Sequence, residues 1–235
     1  MKELEKQDDV FIYTAKINFN ISEIDFQNTL SLLSKEEKNR IISKKLHKPR
    51  CQSLASTLLI KKAIKDTLGL TENSFQIKRT KMNRPYIETN EKINIDFNIS
   101  HSNEWVVCAI ALIGKIGIDI EEIVPIDINI AKEFLSNEEW KYLSIYQGEK
   151  VKLFYKFWTL KESLLKAVGI GINDLIREIN FGVLDDKNNI FKKKINKDIW
   201  SFYHTIFKEK YALSLTVNQS IKSIRFNDCK NLLLK

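Results

Sequence analysis

The strongest constraint on this chain is a four-residue pattern that occurs twice. Ser34-Lys-Glu-Glu37 and Ser136-Asn-Glu-Glu139 both have the form in which a serine hydroxyl and a glutamate cap the first turn of a helix reciprocally. The first opens a basic helix over Lys35–Leu46, the second a helix reaching about Tyr146. A longer helical pattern follows each. One starts at Pro49 and ends at Gly69; the other covers Glu149–Val168 and stops at Gly169 and Gly171. Ser22 caps a further short helix, Glu23–Leu33, and Ile130–Leu135 makes a helical turn or two.

Strand patterns fill the remainder. Val10–Phe19 alternates apolar and polar residues, and Phe75–Arg79 and Pro85–Ile87 are short extended segments. Ile93–Ile99 and Trp105–Ile113 read as a hairpin whose loop is Ser100–Glu104. Ile116–Glu121 follows a glycine-bracketed step, and Ile179–Leu184, Ile190–Ile195, Ile199–Phe207 and Tyr211–Val217 are strand-like. Helices mixed with antiparallel strands in each part predict an α+β fold. A boundary near Gly114–Gly117 divides the 235 residues into halves of similar size, 1–115 and 116–235.

Charge and cysteine usage narrow the setting. The net charge of +8 points to anionic partners without choosing among nucleic acid, phosphorylated cofactors, membranes or acidic proteins. The opening MKELEKQDD has no apolar core, so no signal peptide is expected. The longest apolar run, Trp105–Ile113, is about half a membrane span, so no membrane partner is expected. Cys51, Cys108 and Cys229 are isolated, form no Cys-x-x-Cys pair and suit a reducing cytoplasm. Three histidines and three scattered cysteines argue against zinc.

Three places can carry chemistry. In Gly117-Ile-Asp-Ile-Glu121, period two puts Asp119 and Glu121 on one strand face, an arrangement that suits Mg²⁺; an ordinary charged strand face is the competing reading. Trp158, Glu162 and Lys166 stand at i, i+4 and i+8 on one helical stripe, where the tryptophan argues for partial burial and a surface ion pair is the alternative. Asn98-Ile-Ser-His-Ser102 offers hydroxyls, an imidazole and backbone N–H groups that can hold a phosphate, or ordinary turn chemistry. Lys35, Lys38, Arg40, Lys44 and Lys45 read as a solvated helix face, and Arg79, Lys81 and Arg84 as surface charge beside Pro85.

Taken in order, FNISHSNEWV (97–106), GIDIEEI (117–123) and FWTLKESLLKAVGIG (157–171) resemble the 4′-phosphopantetheinyl transferases of the larger, surfactin-synthetase-activating type. The resemblance runs from about residue 10 to 215. It implies two halves related by a pseudo-two-fold axis, each a small antiparallel sheet with packed helices. It also implies Mg²⁺-dependent transfer of phosphopantetheine from coenzyme A to a serine of an apo acyl or peptidyl carrier protein, releasing 3′,5′-ADP. By the same resemblance Asp119, Glu121 and Glu162 hold the metal, Glu162 deprotonates the acceptor serine, and Lys166 lies near the pyrophosphate. Ser100 and His101 meet the 3′-phosphate; Arg40, Arg79 and Arg84, with Pro85, belong to the coenzyme site. Asn98 and Lys161 are expected to be structural.

The chain departs from that pattern in two places. Arg84 replaces a lysine, changing a point charge for a planar fork. Gln52-Ser53 stands where an arginine and a hydroxyl residue are usual, leaving Arg50 as another source of charge. The rival expectation is a basic nucleic-acid-binding protein or metal-dependent nuclease, which calls for a basic stripe interleaved with aromatics. Here Phe154, Phe157 and Trp158 fall mostly on apolar faces. Two linked halves can complete a cleft within one chain, so a monomer is expected.

Overall fold

A computed structural model describes residues 9–71, 73–171, 174–184, 188–230 and 232. The opening stretch read above for a leader lies almost wholly outside these. The first half starts with β1 (Asp9–Lys16) and three helices, α1 (Glu23–Ser31), α2 (Lys35–Ile42) and α3 (His47–Leu68). It continues with β2 (Phe75–Arg79), β3 (Pro85–Thr89), β4 (Asp96–Ser102) and β5 (Trp105–Ala111). The second half runs β6 (Ile116–Glu122), a 3₁₀ turn (Ile128–Glu133), α4 (Asn137–Ile145), α5 (Lys150–Val168) and a 3₁₀ turn (Asp174–Arg177). It closes with β7 (Ile190–Ile195), β8 (Asp198–Phe207), β9 (Tyr211–Val217) and β10 (Ser223–Asp228).

Both capping boxes form with both of their hydrogen bonds. Each box glutamate is also buried beside a lysine of the long helix that follows. Lys61 Nζ of α3 is 3.4 Å from Glu37, and Lys161 Nζ of α5 is 2.6 Å from Glu139. Both long helices end on a left-handed glycine, Gly69 at φ 72° and Gly169 at φ 85°, where a side chain would be strained. The repeated sequence pattern is thus a repeated three-dimensional one.

The sheets are ordered β10-β1-β5-β4 and β6-β9-β8-β7, with β2-β3 a separate ribbon. Each four-stranded sheet has helices on one face: Tyr13, Ala15, Val106, Cys108 and Ile110 pack with α1–α3, while Phe202 and Ala212 pack with α4 and α5. The other two faces bury Val10, Ile12, Val107 and Ala109 against Ile116, Ile118, Ile120, Leu213 and Leu215. The layering is helix, sheet, sheet, helix. It explains why WVVCAIA and YALSLTV are apolar or small on both faces, since both strands are covered from both sides. Among the described residues no helix is long and apolar enough to cross a membrane.

Four local expectations need correction. The hairpin loop is only Asn103-Glu104, so Ser100 and His101 belong to β4 and their backbone pairs with Val107 and Val106 of β5; Asn103, at φ 45°, tolerates the left-handed turn. Ile93–Ile95 precede the strand. Ile179–Leu184 is irregular, interrupted by Gly182 at φ 68°. α2 stops at Ile42, and Arg50 Nε and Nη2 satisfy carbonyls beyond and at its end, those of Lys44 and Ile42. The last strand, β10, was not foreseen: it lies parallel to β1 in the first sheet, Asp9 opposite Ser223. We retain 1–115 and 116–235 as the proposed halves, with β10 crossing between them.

One glycine sets the distance between α5 and β6. A Cβ on Gly117 would lie 1.9 Å from the Ser163 carbonyl oxygen and 2.5 Å from the Ala167 nitrogen, both backbone atoms. Small polar pairs join α5 to the neighbouring β9, Thr159 with Ser214 and Ser163 with Thr216, each at 2.7 Å. Gly117→Ala is therefore expected to push α5 off the sheet and cost about 1–3 kcal/mol, read as a lowered urea midpoint at unchanged m-value. An unchanged midpoint would contradict it.

Candidate active site

Gly117, Asp119 and Glu121 share the β6 face turned to α5, and Glu162 and Lys166 stand one turn apart on the facing side of that helix. The close approach at Gly117 makes them neighbours. Lys166 Nζ donates to Asp119 Oδ1 at 2.6 Å, to Ser100 Oγ at 2.9 Å and to the Ile118 carbonyl at 3.3 Å. Ser100 Oγ donates to the same Asp119 oxygen at 2.9 Å. Glu121 Oε2 accepts from Ser102 Oγ at 3.0 Å, and the nearby Trp158 indole favours the charged form of that carboxylate.

Three carboxyl groups this close resist joint ionisation. Burial, then the charge of Asp119, pushes Glu121 and Glu162 each up to about 7; Lys166 opposes the rise in both. Asp119 is 2% and Glu162 7% exposed, and Asp119 Oδ2 and Glu162 Oε1 are buried without a hydrogen-bond partner. Orphaned, buried carboxylate oxygens are costly unless something else satisfies them. Among the described residues no three His, Cys, Asp or Glu side chains are placed so that together they could hold a metal ion; Lys166 stands at Asp119 instead. The donor set nevertheless fits a hard divalent cation: all-oxygen, anionic, with two unsatisfied oxygens.

These groups form one wall of a cavity of about 670 Å³. Arg40, Lys44, Arg79, Arg84, Pro85, Ser53 and His101 also line it. Arg40 donates to Ser53 Oγ at 2.8 Å and to Thr57 Oγ1 at 2.5 Å, so α3 holds its guanidinium in place. Burial, then the neighbouring Arg40 charge, lowers Arg79 to about 10, and burial lowers Arg40 as well. Two guanidinium groups whose charges act on each other favour an anion, with Glu37 and Glu36 offsetting part of the charge of Arg40. His101 reaches the cavity from the opposite face of β4; burial and then Lys166 hold its pKa below the usual imidazole value, so the neutral ring can donate a hydrogen bond.

The sequence reading placed some of these groups better than others. Lys44, taken with the solvated face, follows Arg40 by one turn into the cavity. Arg50 caps α2, whereas Ser53 is in the cavity wall. Arg84 lines the cavity, but Nη1 donates to the Lys166 carbonyl and Nη2 to Asp96 at 2.6 Å and the Ile116 carbonyl at 2.8 Å. It braces α5 against β4 and β6. Asn98 Oδ1 accepts from the Ile118 amide at 3.0 Å. Lys161, fully buried, donates to Glu139 and to the carbonyls of Phe134 and Ile176. Phe154 and Phe157 are core residues, and Trp158 packs edge-on against Phe134, so the interleaved aromatic stripe of a nucleic-acid surface is not formed by them. Asp96 was missed, and Ser102 was read only as part of a loop; the signal available was the polar residue at every second position of Asp96-Phe-Asn-Ile-Ser-His-Ser102.

Comparison with known proteins gives the same answer over both halves. A family model described as the N-terminal part of 4′-phosphopantetheinyl transferase matches residues 18–112, and one described as the 4′-phosphopantetheinyl transferase superfamily matches 115–216. The 4′-phosphopantetheinyl transferase gsp of Aneurinibacillus migulanus is 33% identical over 226 residues, covering 91% of this chain and 92% of that protein. Bacillus subtilis Sfp, also a 4′-phosphopantetheinyl transferase, is 30% identical over 164 residues, 69% of this chain and 71% of its own. The human L-aminoadipate-semialdehyde dehydrogenase-phosphopantetheinyl transferase is 25% identical over 205 residues, 78% of this chain and 66% of that protein.

Proposed function

The chain belongs to the 4′-phosphopantetheinyl transferase family and is a transferase of that kind, and from this we propose how its own residues move phosphopantetheine from coenzyme A to a serine of an apo carrier protein. The observation that carries the proposal is one cavity with an acidic end, Asp119, Glu121 and Glu162, and a basic end, Arg40, Lys44 and Arg79. A co-substrate with phosphates in two places and a labile pyrophosphate matches that polarity.

In this reading Arg40 and Arg79 bind the terminal phosphate of coenzyme A, His101 donates to it, and Arg84 and Pro85 complete the wall. Asp119, Glu121 and Glu162 hold Mg²⁺, which when bound neutralises charge on the pyrophosphate. Lys166, held by Asp119 and Ser100, presents a second cation to the same group. Glu162 accepts the proton of the carrier serine. The serine oxygen forms the new phosphoester, the pyrophosphate bond breaks, and 3′,5′-ADP leaves. No nucleophile is needed within this chain, because the partner brings it. Both ends of the cavity come from one chain, consistent with a monomer, and three free cysteines suit the cytoplasm.

Mass spectrometry of several apo carrier proteins incubated with the enzyme, coenzyme A and Mg²⁺ tests the reading. A mass gain of one phosphopantetheine on at least one carrier is expected; no gain on any refutes it.

Metal and protons should compete. Glu121 and Glu162 stand near 7 in the fold against an ordinary 4.5. Between these values the metal-free fold holds more protons than the unfolded chain, so these two groups lend stability at low pH that is lost as pH rises through 7. Mg²⁺ then replaces the missing protons. Its stabilisation of Tm is expected to be larger at pH 8 than at pH 5.5, by roughly 2–4 °C per kcal/mol of linked binding energy. An equal shift at both values would show that the carboxyl groups do not receive the ion.

A further inference from the structure

Alternate residues of Asp96–Ser102 also join two sheets. β4 and β6 are facing edge strands of two different sheets, and side chains of β4 join them. Asp96 Oδ2 accepts from the Ile116 amide at 2.9 Å, and Asn98 Oδ1 accepts from the Ile118 amide at 3.0 Å. Ser100 Oγ donates to Asp119 at 2.9 Å. Ser102 Oγ accepts from the Glu122 amide at 3.0 Å and donates to Glu121 Oε2 at 3.0 Å. Every second residue of β4 makes one rung. The lower rungs hold the β6 backbone; the upper rungs end on the two carboxylates of the site.

We infer that Ser102 is a positioning residue for the cation site, aiming the Glu121 carboxylate through a hydroxyl whose direction is fixed. A serine hydroxyl normally rotates to suit its surroundings. Here the Glu122 amide takes an acceptor position on Oγ, which turns the O–H towards Glu121. Glu121 is thereby held to β4, while Asp119 is held by Ser100 and Lys166. The inference rests on the reading that Asp119, Glu121 and Glu162 receive a divalent cation. Partners of this kind typically change metal affinity by about 10–100-fold when removed.

The test uses Mn²⁺ as a spectroscopic substitute for Mg²⁺, titrated into the full chain without coenzyme A and followed by electron paramagnetic resonance. Ser102→Ala and Ser102→Val, the second close in shape to threonine but lacking the hydroxyl, are expected to weaken Mn²⁺ binding by about tenfold or more. Ser102→Thr, which keeps the hydroxyl, is expected to bind near the wild-type level. Circular dichroism melts identify which variants are folded, and either apolar variant suffices. At saturating metal the KM for coenzyme A is expected to remain near wild type. Wild-type Mn²⁺ affinity in a folded apolar variant overturns the inference, as does a threonine variant as weak as the valine one. A raised KM for coenzyme A with unchanged Mn²⁺ affinity also overturns it, making Ser102 a substrate contact. A wild-type protein that binds no Mn²⁺ refutes the cation reading itself, a result distinct from all of these.

Discussion

Glu162→Gln is expected to lower phosphopantetheine transfer by about 10²–10⁴-fold, the range for loss of a positioned general base, and to leave the protein folded. Glutamine has the shape of glutamate but can neither accept the serine proton nor lend a charge to a cation. The fold should tolerate the change and gain from it in the absence of metal. Burial and the Asp119 charge already push Glu162 up to about 7, and Oε1 is buried with no hydrogen-bond partner. Removing one of three crowded carboxyl groups relieves repulsion. The expected pattern is an almost inactive enzyme whose metal-free Tm equals or exceeds that of the wild type at pH 8. Single-turnover transfer followed by mass spectrometry, together with thermal melts, checks both parts. Turnover near wild type would remove Glu162 from its role. A collapse of Tm would show that the carboxylate serves the fold.

Lys161 offers the opposite case, a large loss of stability. Its ammonium and the Glu139 carboxylate are both fully buried and 2.6 Å apart. Lys161 also donates to the carbonyls of Phe134 and Ile176 at 3.0 Å each, while Glu139 accepts from the amides of Ser136 and Phe181 at 2.8 Å each. One ion pair thus ties α5 to α4 and to the segments at Phe134, Ile176 and Phe181. Lys161→Met keeps most of the volume but leaves Glu139 charged and without its cation. Breaking a buried pair in this way costs about 3–5 kcal/mol, which for a chain of this size lowers Tm by roughly 10 °C. The double variant with Glu139→Gln should recover part of that loss, because the stranded charge has gone. A Tm within about 2 °C of wild type would mean that less than about 1 kcal/mol resides in the pair.

Two lysines of α5, one fully buried and one half-buried, also show what a sequence can convey. Lys161 and Lys166 look alike in Leu160-Lys-Glu-Ser-Leu-Leu-Lys166. Helical spacing put Lys166 on the stripe with Trp158 and Glu162, where the structure also has it. Nothing in that spacing named the partner of Lys161, because Glu139 lies beyond a loop and another helix turns it inward. Arg84 is a similar case. Its place before Pro85 read as surface charge, and only the family resemblance made it a phosphate contact; the acceptors that engage it here are carbonyls and a carboxylate from α5, β4 and β6. A donor is visible in a sequence; the acceptor that engages it depends on which segments meet.

The order and type of most helices and strands were set by the sequence alone, because capping, glycine termination and alternation act over a few residues. The same short-range rules put Asp119 and Glu121 on one strand face. The tertiary structure alone decided which faces would meet. It placed β10 in the first sheet, where its pairing with β1 spans the whole chain. It let α5 approach β6 at Gly117, close enough for Glu162 and Lys166 to join the two carboxylates, and it made the residues of a supposed phosphate loop into a ladder across two sheet edges. Local propensity cannot encode such pairings. They form when distant buried surfaces match in shape and when polar groups stripped of water find one another.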